Sequence, residues 1–151
     1  MSRFGVYSRN PGHNIEILDL TKEIAVSCTN HIYKGDYGFM ATGFITKGKI
    51  TPGSGNAVGN SEALAVVGRF TADGKGNITG TQTRNFDGQI FAETYTETYS
   101  VNADCTGTSA KSTSLGVNVK FAFVVLNHGK VVEGVETDAG HVVTFRAERI
   151  D

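Results

Sequence analysis

TQTRNFDGQIFAETYTETYS, residues 81–100, contains the reading on which the fold turns. Asp87-Gly88 lies between two runs of alternating residues, which is a strong signal for a two-residue hairpin turn. Successive side chains on a strand point to opposite faces, so this turn fixes which residues share a side. It sets Phe86 opposite Gln89, Arg84 opposite Phe91, Gln82 opposite Glu93, Gly80 opposite Tyr95 and Ile78 opposite Glu97. The other face pairs Thr83 with Ala92, Thr81 with Thr94 and Thr79 with Thr96. A threonine ladder suits a solvated sheet surface. The face carrying Phe86, Phe91, Tyr95 and Ile78 has the bulk to fill a core, and it takes Glu93, Glu97 and Tyr99 inward with it.

Working outward, the rest of the chain reads as more of the same. Candidate strands fall near 36–46, 62–71, 77–86, 89–101, 108–115, 117–126, 131–137 and 141–148, with short turns between all but the first two. Short connections between successive strands mean an antiparallel meander. Eight such strands, closed on themselves, make an all-β, eight-stranded antiparallel up-and-down β-barrel, about the smallest size that holds one small ligand. A two-sheet β-sandwich is the alternative fold. Residues 1–33 stand apart as an N-terminal extension, strand or short helix or both, ahead of a barrel domain over 34–151. That extension would cover one barrel end or pair with another subunit.

Other turns extend the inward face. If Thr71 opposes Asn77, Phe70 meets Ile78 and points inward, followed by Val66 and Leu64. A two-residue turn at His128-Gly129 puts Phe121 opposite Glu136 and Phe123 opposite Gly134. A two-residue turn at Ala139-Gly140 puts Val143 opposite Glu136 and Phe145 opposite Gly134. Both registers send Glu136 to the side of the phenylalanines, although a slip of one residue in either would reverse it.

Composition bounds the function. The 151 residues carry 14 Lys plus Arg against 15 Asp plus Glu, a formal net charge of −1. No basic run tracks a phosphate backbone, which argues against nucleic acid. No apolar run nears the ~18 residues of a membrane span, and the N-terminus lacks the basic-then-apolar pattern of a secretory signal. The expected compartment is therefore cytoplasmic, with Cys28 and Cys105 as two reduced, structural cysteines. The four histidines show no metal-ligand spacing. DGKGN at 73–77 lacks the acidic pattern of a calcium loop, and no GxSxG stretch exists. Neither a metal nor another cofactor is expected.

The resulting picture is a lumen walled by Phe70, Phe86, Phe91, Phe121, Phe123 and Phe145. Gln82, Arg84, Glu93, Tyr95, Glu97, Tyr99, Glu136 and His141 project into it or to its rim. Burial raises a carboxyl pKa and a neighbouring arginine lowers it, so this set offers an acid or base near neutral pH with groups to hold an oxygen. The competing explanations are a wet rim, an ordinary Arg84–Glu93 ion pair, and a Glu/Tyr face covered by a second copy in a homo-oligomer.

Four stretches taken together, KGDYGFMATGF (34–44), AVVGRFTADGKGNITGTQT (65–83), YSVNADCTGT (99–108) and VETDAGHVVTFRAER (135–149), resemble a group of small, mostly uncharacterised bacterial β proteins. The architecture this implies is similar to the allene-oxide-cyclase-like and lipocalin-like barrels, broad classes that include cyclases and isomerases of apolar, oxygenated substrates. The shared turns carry scaffold rather than chemistry, and no substrate-binding motif of the plant cyclase is present. The expectation is a barrel that binds a polyketide- or lipid-like molecule and cyclises or isomerises it. Glu93, Glu97 or Glu136 would be the acid or base, and Tyr95, Tyr99 or Arg84 would polarise a carbonyl. A carrier or sensor with the same pocket, and a structural module, are the rival functions.

Overall fold

Asp87 and Gly88 both adopt positive φ, 50° and 89°, the backbone of a type I′ turn whose twist matches the strands it joins. From that hairpin the register runs as the sequence requires, Phe86 opposite Gln89 through Ile78 opposite Glu97. The computed structural model describes residues 5–8, 16–19, 27–46 and 61–151. Strands β1 (Gly5–Ser8) and β2 (Glu16–Asp19) pair antiparallel with each other. The barrel strands are β3 (Lys34–Thr46), β4 (Ser61–Asp73), β5 (Asn77–Phe86), β6 (Gln89–Val101), β7 (Thr106–Thr113), β8 (Asn118–Leu126), β9 (Val131–Glu136) and β10 (His141–Arg149). Each pairs with the next, and β10 pairs with β3, closing an eight-stranded antiparallel up-and-down barrel.

Closure leaves the barrel itself without a free edge and sorts its side chains by parity. Thr79, Thr81, Thr83, Thr94, Thr96 and Thr98 are exposed, while Ile78, Gln82, Glu93, Tyr95 and Tyr99 are buried. The Glu/Tyr face is thus enclosed by the barrel rather than offered to a neighbouring subunit. Gly80, directly opposite Tyr95, is bare for a steric reason: a Cβ there would come within 2.6 Å of the phenol ring.

One end of the barrel is plugged. A 3₁₀ turn over Asn30–Ile32 leads Tyr33 into the core, where its ring packs against Tyr37, Phe70, Tyr99 and Phe123 at centroid distances of 4.8–6.0 Å. Tyr99 donates its hydroxyl to Tyr33 O at 2.6 Å, and Tyr37 donates to Gly129 O. Asn30 Oδ1 accepts from Val101 N–H at 2.8 Å. Residues 27–33, read from sequence as part of a separate extension, therefore belong to the barrel's closed end. The opposite end, around the β5–β6, β7–β8 and β9–β10 turns, has no such plug among the described residues and is termed the mouth.

Three expectations need correction. Cys28 and Cys105 are not reduced; they form a disulfide with a Cα separation of 5.1 Å across 77 residues of chain. The Cys28 N–H also donates to Ala103 O at 3.0 Å, so the plug is tied to the β6–β7 turn twice. Thr71 pairs with Thr79 rather than Asn77, and Phe70 with Gly80 rather than Ile78. Here the Asp73 carboxylate gathers the Lys75 and Asn77 N–H groups at 2.7 and 3.0 Å, centring the turn on Lys75, one residue later than assumed. The shift is by two residues, so Phe70 still faces inward. The β8–β9 connection is a four-residue turn with Asn127 and His128 at positive φ. It is symmetric about the same midpoint, and Phe121 opposes Glu136 as expected.

Linking residues this far apart stabilises chiefly by restricting the unfolded chain, typically by 2–4 kcal/mol. Cys105→Ser is expected to lower stability by about 2–5 kcal/mol in urea unfolding. Thiol titration of the unfolded, unreduced protein should find no free cysteine.

Candidate functional site

Strand parity converges polar groups on an otherwise apolar lumen. Walls are supplied by Phe39 and Ala41 of β3, Leu64, Val66 and Phe70 of β4, Val119, Phe121 and Phe123 of β8, and Phe145 of β10. The enclosed space open to the centres of water-sized molecules is about 80 Å³. A single water needs roughly 10–15 Å³ by that measure, so the cavity suits several waters or one short organic molecule.

A charge among these side chains must be matched by another charge or by hydrogen bonds. Glu93 is the most completely matched. Arg84 donates Nε to its Oε1 at 2.8 Å and Nη2 to its Oε2 at 3.4 Å, and Gln82 Nε2 donates to Oε1 at 2.7 Å. Burial pushes the Glu93 carboxyl up, but hydrogen bonds from Arg84, Gln82 and Thr113 outweigh it and hold the pKa below the usual carboxylate range. The Glu93 side chain is fully enclosed and Arg84 is 14% exposed, its guanidinium stacked 4.6 Å from the Phe91 ring centroid. Glu93 is thus an ionised anchor for Arg84 and Gln82, not a free acid.

Lys111 continues the chain of contacts. Its Nζ donates to Gln82 Oε1 and stands 3.8 Å from the centroid of the Tyr95 ring, within 5.0 Å of that of Phe39. Burial is the largest influence on it and drives its pKa down to about 8, against the pull of Glu97, Glu93 and Glu136. Glu97 lies directly opposite Lys111 across the β6–β7 ladder. Burial pushes its carboxyl up, with Ser109 and Lys111 pulling it partly back. Tyr95 is pushed well above the ordinary phenol value by burial and then by Glu97, so it is a donor at neutral pH and not a base.

Nearer the mouth, Glu136 Oε2 meets His141 Nδ1 at 2.6 Å. Burial raises the Glu136 carboxyl more than His141 lowers it. Glu136, Asp138 and His141 bring three donor atoms within 4.8 Å of one another, the set that a divalent cation would use among the described residues. All three residues are already engaged in protein contacts, Glu136 and His141 with each other and Asp138 Oδ2 accepting from Lys120 N–H at 2.8 Å.

The sequence-derived set therefore divides. Phe70, Gln82, Arg84, Tyr95, Glu97, Phe121, Phe123, Glu136, His141 and Phe145 all line the one cavity. Glu93 lies behind Arg84 and Gln82, Phe91 supports Arg84, and Phe86 packs against the core without reaching the cavity. Tyr99 belongs to the closed end, where its hydroxyl is committed to Tyr33 O. Sequence reasoning missed Lys111, the central cation, along with Tyr33 and Phe39. No helix among the described residues is long and apolar enough to cross a membrane.

Removing one partner of a buried ion pair strands the other, a loss of about 3–5 kcal/mol. Arg84→Met should show a loss of that order in chemical unfolding, and adding Glu93→Gln should recover most of it. The Glu93 contribution has a defined sign with pH. Its folded pKa lies below the unfolded one, so its stabilisation is present above the unfolded carboxylate range and is lost as pH falls through the folded value. The acid limb of the stability profile should therefore flatten in the double variant.

The chain matches no family model, no curated protein and no solved structure.

Proposed function

We propose that the barrel takes a small, largely apolar, oxygenated molecule through its mouth and moves a proton on it, isomerising or cyclising it without a cofactor. One observation carries this reading: two carboxyl groups held protonatable by burial, Glu97 and Glu136, face the same apolar cavity as a buried lysine. Proton-transfer catalysts need pKa values near the working pH, and apolar enclosure is the usual means of raising a carboxyl to that range. In this reading Glu97 and Glu136 are the acid and base, with His141 holding Glu136 in place. Tyr95 and Arg84 are the groups to polarise a carbonyl oxygen, and the walls hold a flexible chain in a reactive conformation. The cavity's size favours a short relative of the polyketide- or lipid-like molecules over a long chain. A closed eight-stranded barrel suits this reading at the level of architecture.

The compartment belongs to the same proposal. A disulfide persists in oxidising surroundings and is rare in a reducing cytosol. Cys28–Cys105 therefore favours an exported protein over the cytoplasmic one expected from the N-terminus.

A short β,γ-unsaturated ketone, whose double bond moves into conjugation with a rise in ultraviolet absorbance, is a suitable probe. Glu97→Gln and Glu136→Gln are each expected to slow that conversion by about 10²-fold or more. The carboxyl that acts as acid should lose activity as pH rises through its folded pKa, and the one that acts as base should lose it as pH falls through its own, both lying above the ordinary carboxylate value. Undiminished conversion in both variants would overturn the acid–base assignment. A ketone that binds, as seen by native mass spectrometry, and leaves unchanged would instead mark a carrier.

A further inference from the structure

Buried cations in proteins usually sit against a carboxylate. The hydrogen bond of Lys111 goes to the neutral amide of Gln82, and its ammonium rests over the face of Tyr95. Glu93, held as a carboxylate, is already occupied by Arg84 and by the other end of the same Gln82 amide. Glu97 stands opposite Lys111 on the neighbouring strand, and both line the cavity. The remaining walls of the cavity are mostly aromatic or aliphatic, with Arg84, Thr113, Glu136 and His141 among them. An amine so placed has a cavity in front of it, a carboxyl group beside it and no salt bridge to a carboxylate among the described residues, and burial outweighs the more distant pull of Glu97, Glu93 and Glu136.

We propose that Lys111 is a nucleophilic amine that captures a small, mostly apolar aldehyde or ketone in the lumen as a protonated imine. The inference rests on the reading of the lumen as a small-molecule site and assigns that site a covalent chemistry. The neutral Nζ attacks the carbonyl carbon, forming the C–N bond while the C=O π pair moves to oxygen. Proton transfer from nitrogen to oxygen gives the neutral carbinolamine. Protonated Glu97 then gives its proton to the carbinolamine hydroxyl, which leaves as water as the nitrogen lone pair forms the C=N bond. The products are a protonated imine on Lys111, one water and the Glu97 carboxylate, whose charge lies opposite the new cation. No oxidant or reductant is involved. The iminium is an electron sink, so loss of a proton from the adjacent carbon to a carboxylate such as Glu136 gives an enamine, a step toward isomerisation.

Two features favour the sequence of steps. Desolvation of a lysine is a recognised way to expose its free amine near neutral pH, and burial draws Lys111 in that direction. The cavity holds only several waters' worth of space, so a captured molecule displaces the water that would hydrolyse the imine.

The test uses the intact, oxidised protein with butanal as probe. Borohydride is added at pH 7 to reduce any imine to a stable secondary amine, which is then located by peptide mapping. Labelling of Lys111 at least about tenfold above each surface lysine is expected, since a lowered pKa leaves more free amine at neutral pH. Lys111→Arg, which keeps the charge but not the nucleophile, should lose that label while its circular dichroism stays native. Glu97→Gln should slow labelling at Lys111 and leave the surface lysines unchanged. Label spread evenly over the lysines would overturn the proposal. In that event 1-butanol, which cannot form an imine, separates the two readings by calorimetry. If the alcohol binds to the native protein, only the imine falls; if it does not, the small-molecule reading of the lumen falls with it.

Discussion

A charge enclosed by phenylalanine and valine must be met by an opposite charge, be met by hydrogen bonds, or give up its ionisation. The lumen uses all three solutions along a single path. Arg84 and Gln82 hold Glu93 as a carboxylate, and Gln82 hands its other end to Lys111. Lys111 is held by an amide and an aromatic face, and Glu97 is driven toward its neutral form. The gradient runs from a fully compensated pair to groups displaced by burial, Lys111 downward and Glu97 upward. A barrel wall built only for stability would stop at the first solution or replace the set with apolar residues, which is often neutral or stabilising.

The closed end makes this arrangement possible. Tyr33, Tyr37, Tyr99, Phe70 and Phe123 fill the barrel below the polar layer, and each of the hydroxyl groups of Tyr37 and Tyr99 finds a main-chain carbonyl. The Cys28–Cys105 disulfide fastens the segment that delivers Tyr33 to the β6–β7 turn. The covalent link, the aromatic plug and the electrostatics of the lumen are consequently one mechanical unit. Loosening the plug would admit water and weaken every pKa displacement above it.

Much of this was legible in the chain, for reasons that particular residues make plain. Asp87-Gly88 is a turn with only one natural register, so the inward positions of Gln82, Arg84, Glu93, Tyr95 and Glu97 followed from counting. The turns after β8 and β9 are symmetric, and Glu136 fell on the correct side. Strand β7 could not be read that way. Its sequence TGTSAKST has no apolar face, and the turn before it is asymmetric: Val101 pairs with Gly107, not with Thr106. Cys105 at φ 70° and a hydrogen bond from Asn102 N–H to Thr106 O at 2.7 Å produce the offset. An even count would have sent Lys111 to solvent, because a one-residue slip exchanges the faces. The disulfide was hidden for a related reason, since a spacing of 77 residues says nothing until residues 27–33 are known to fold beneath the barrel. Glu93 and Glu97 looked equivalent because both face inward; only the neighbours from β5 and β7 separate anchor from acid.

The central claim is that the lumen holds Lys111 as an amine able to exchange its proton near neutral pH. Reductive ¹³C-methylation of the lysines, followed by NMR titration of each dimethylamine signal, reads that property residue by residue. The account predicts one signal, absent from Lys111→Arg, with a midpoint near pH 8, well below the ordinary lysine value of 10.5. A Lys111 signal that titrates with the surface lysines would contradict it.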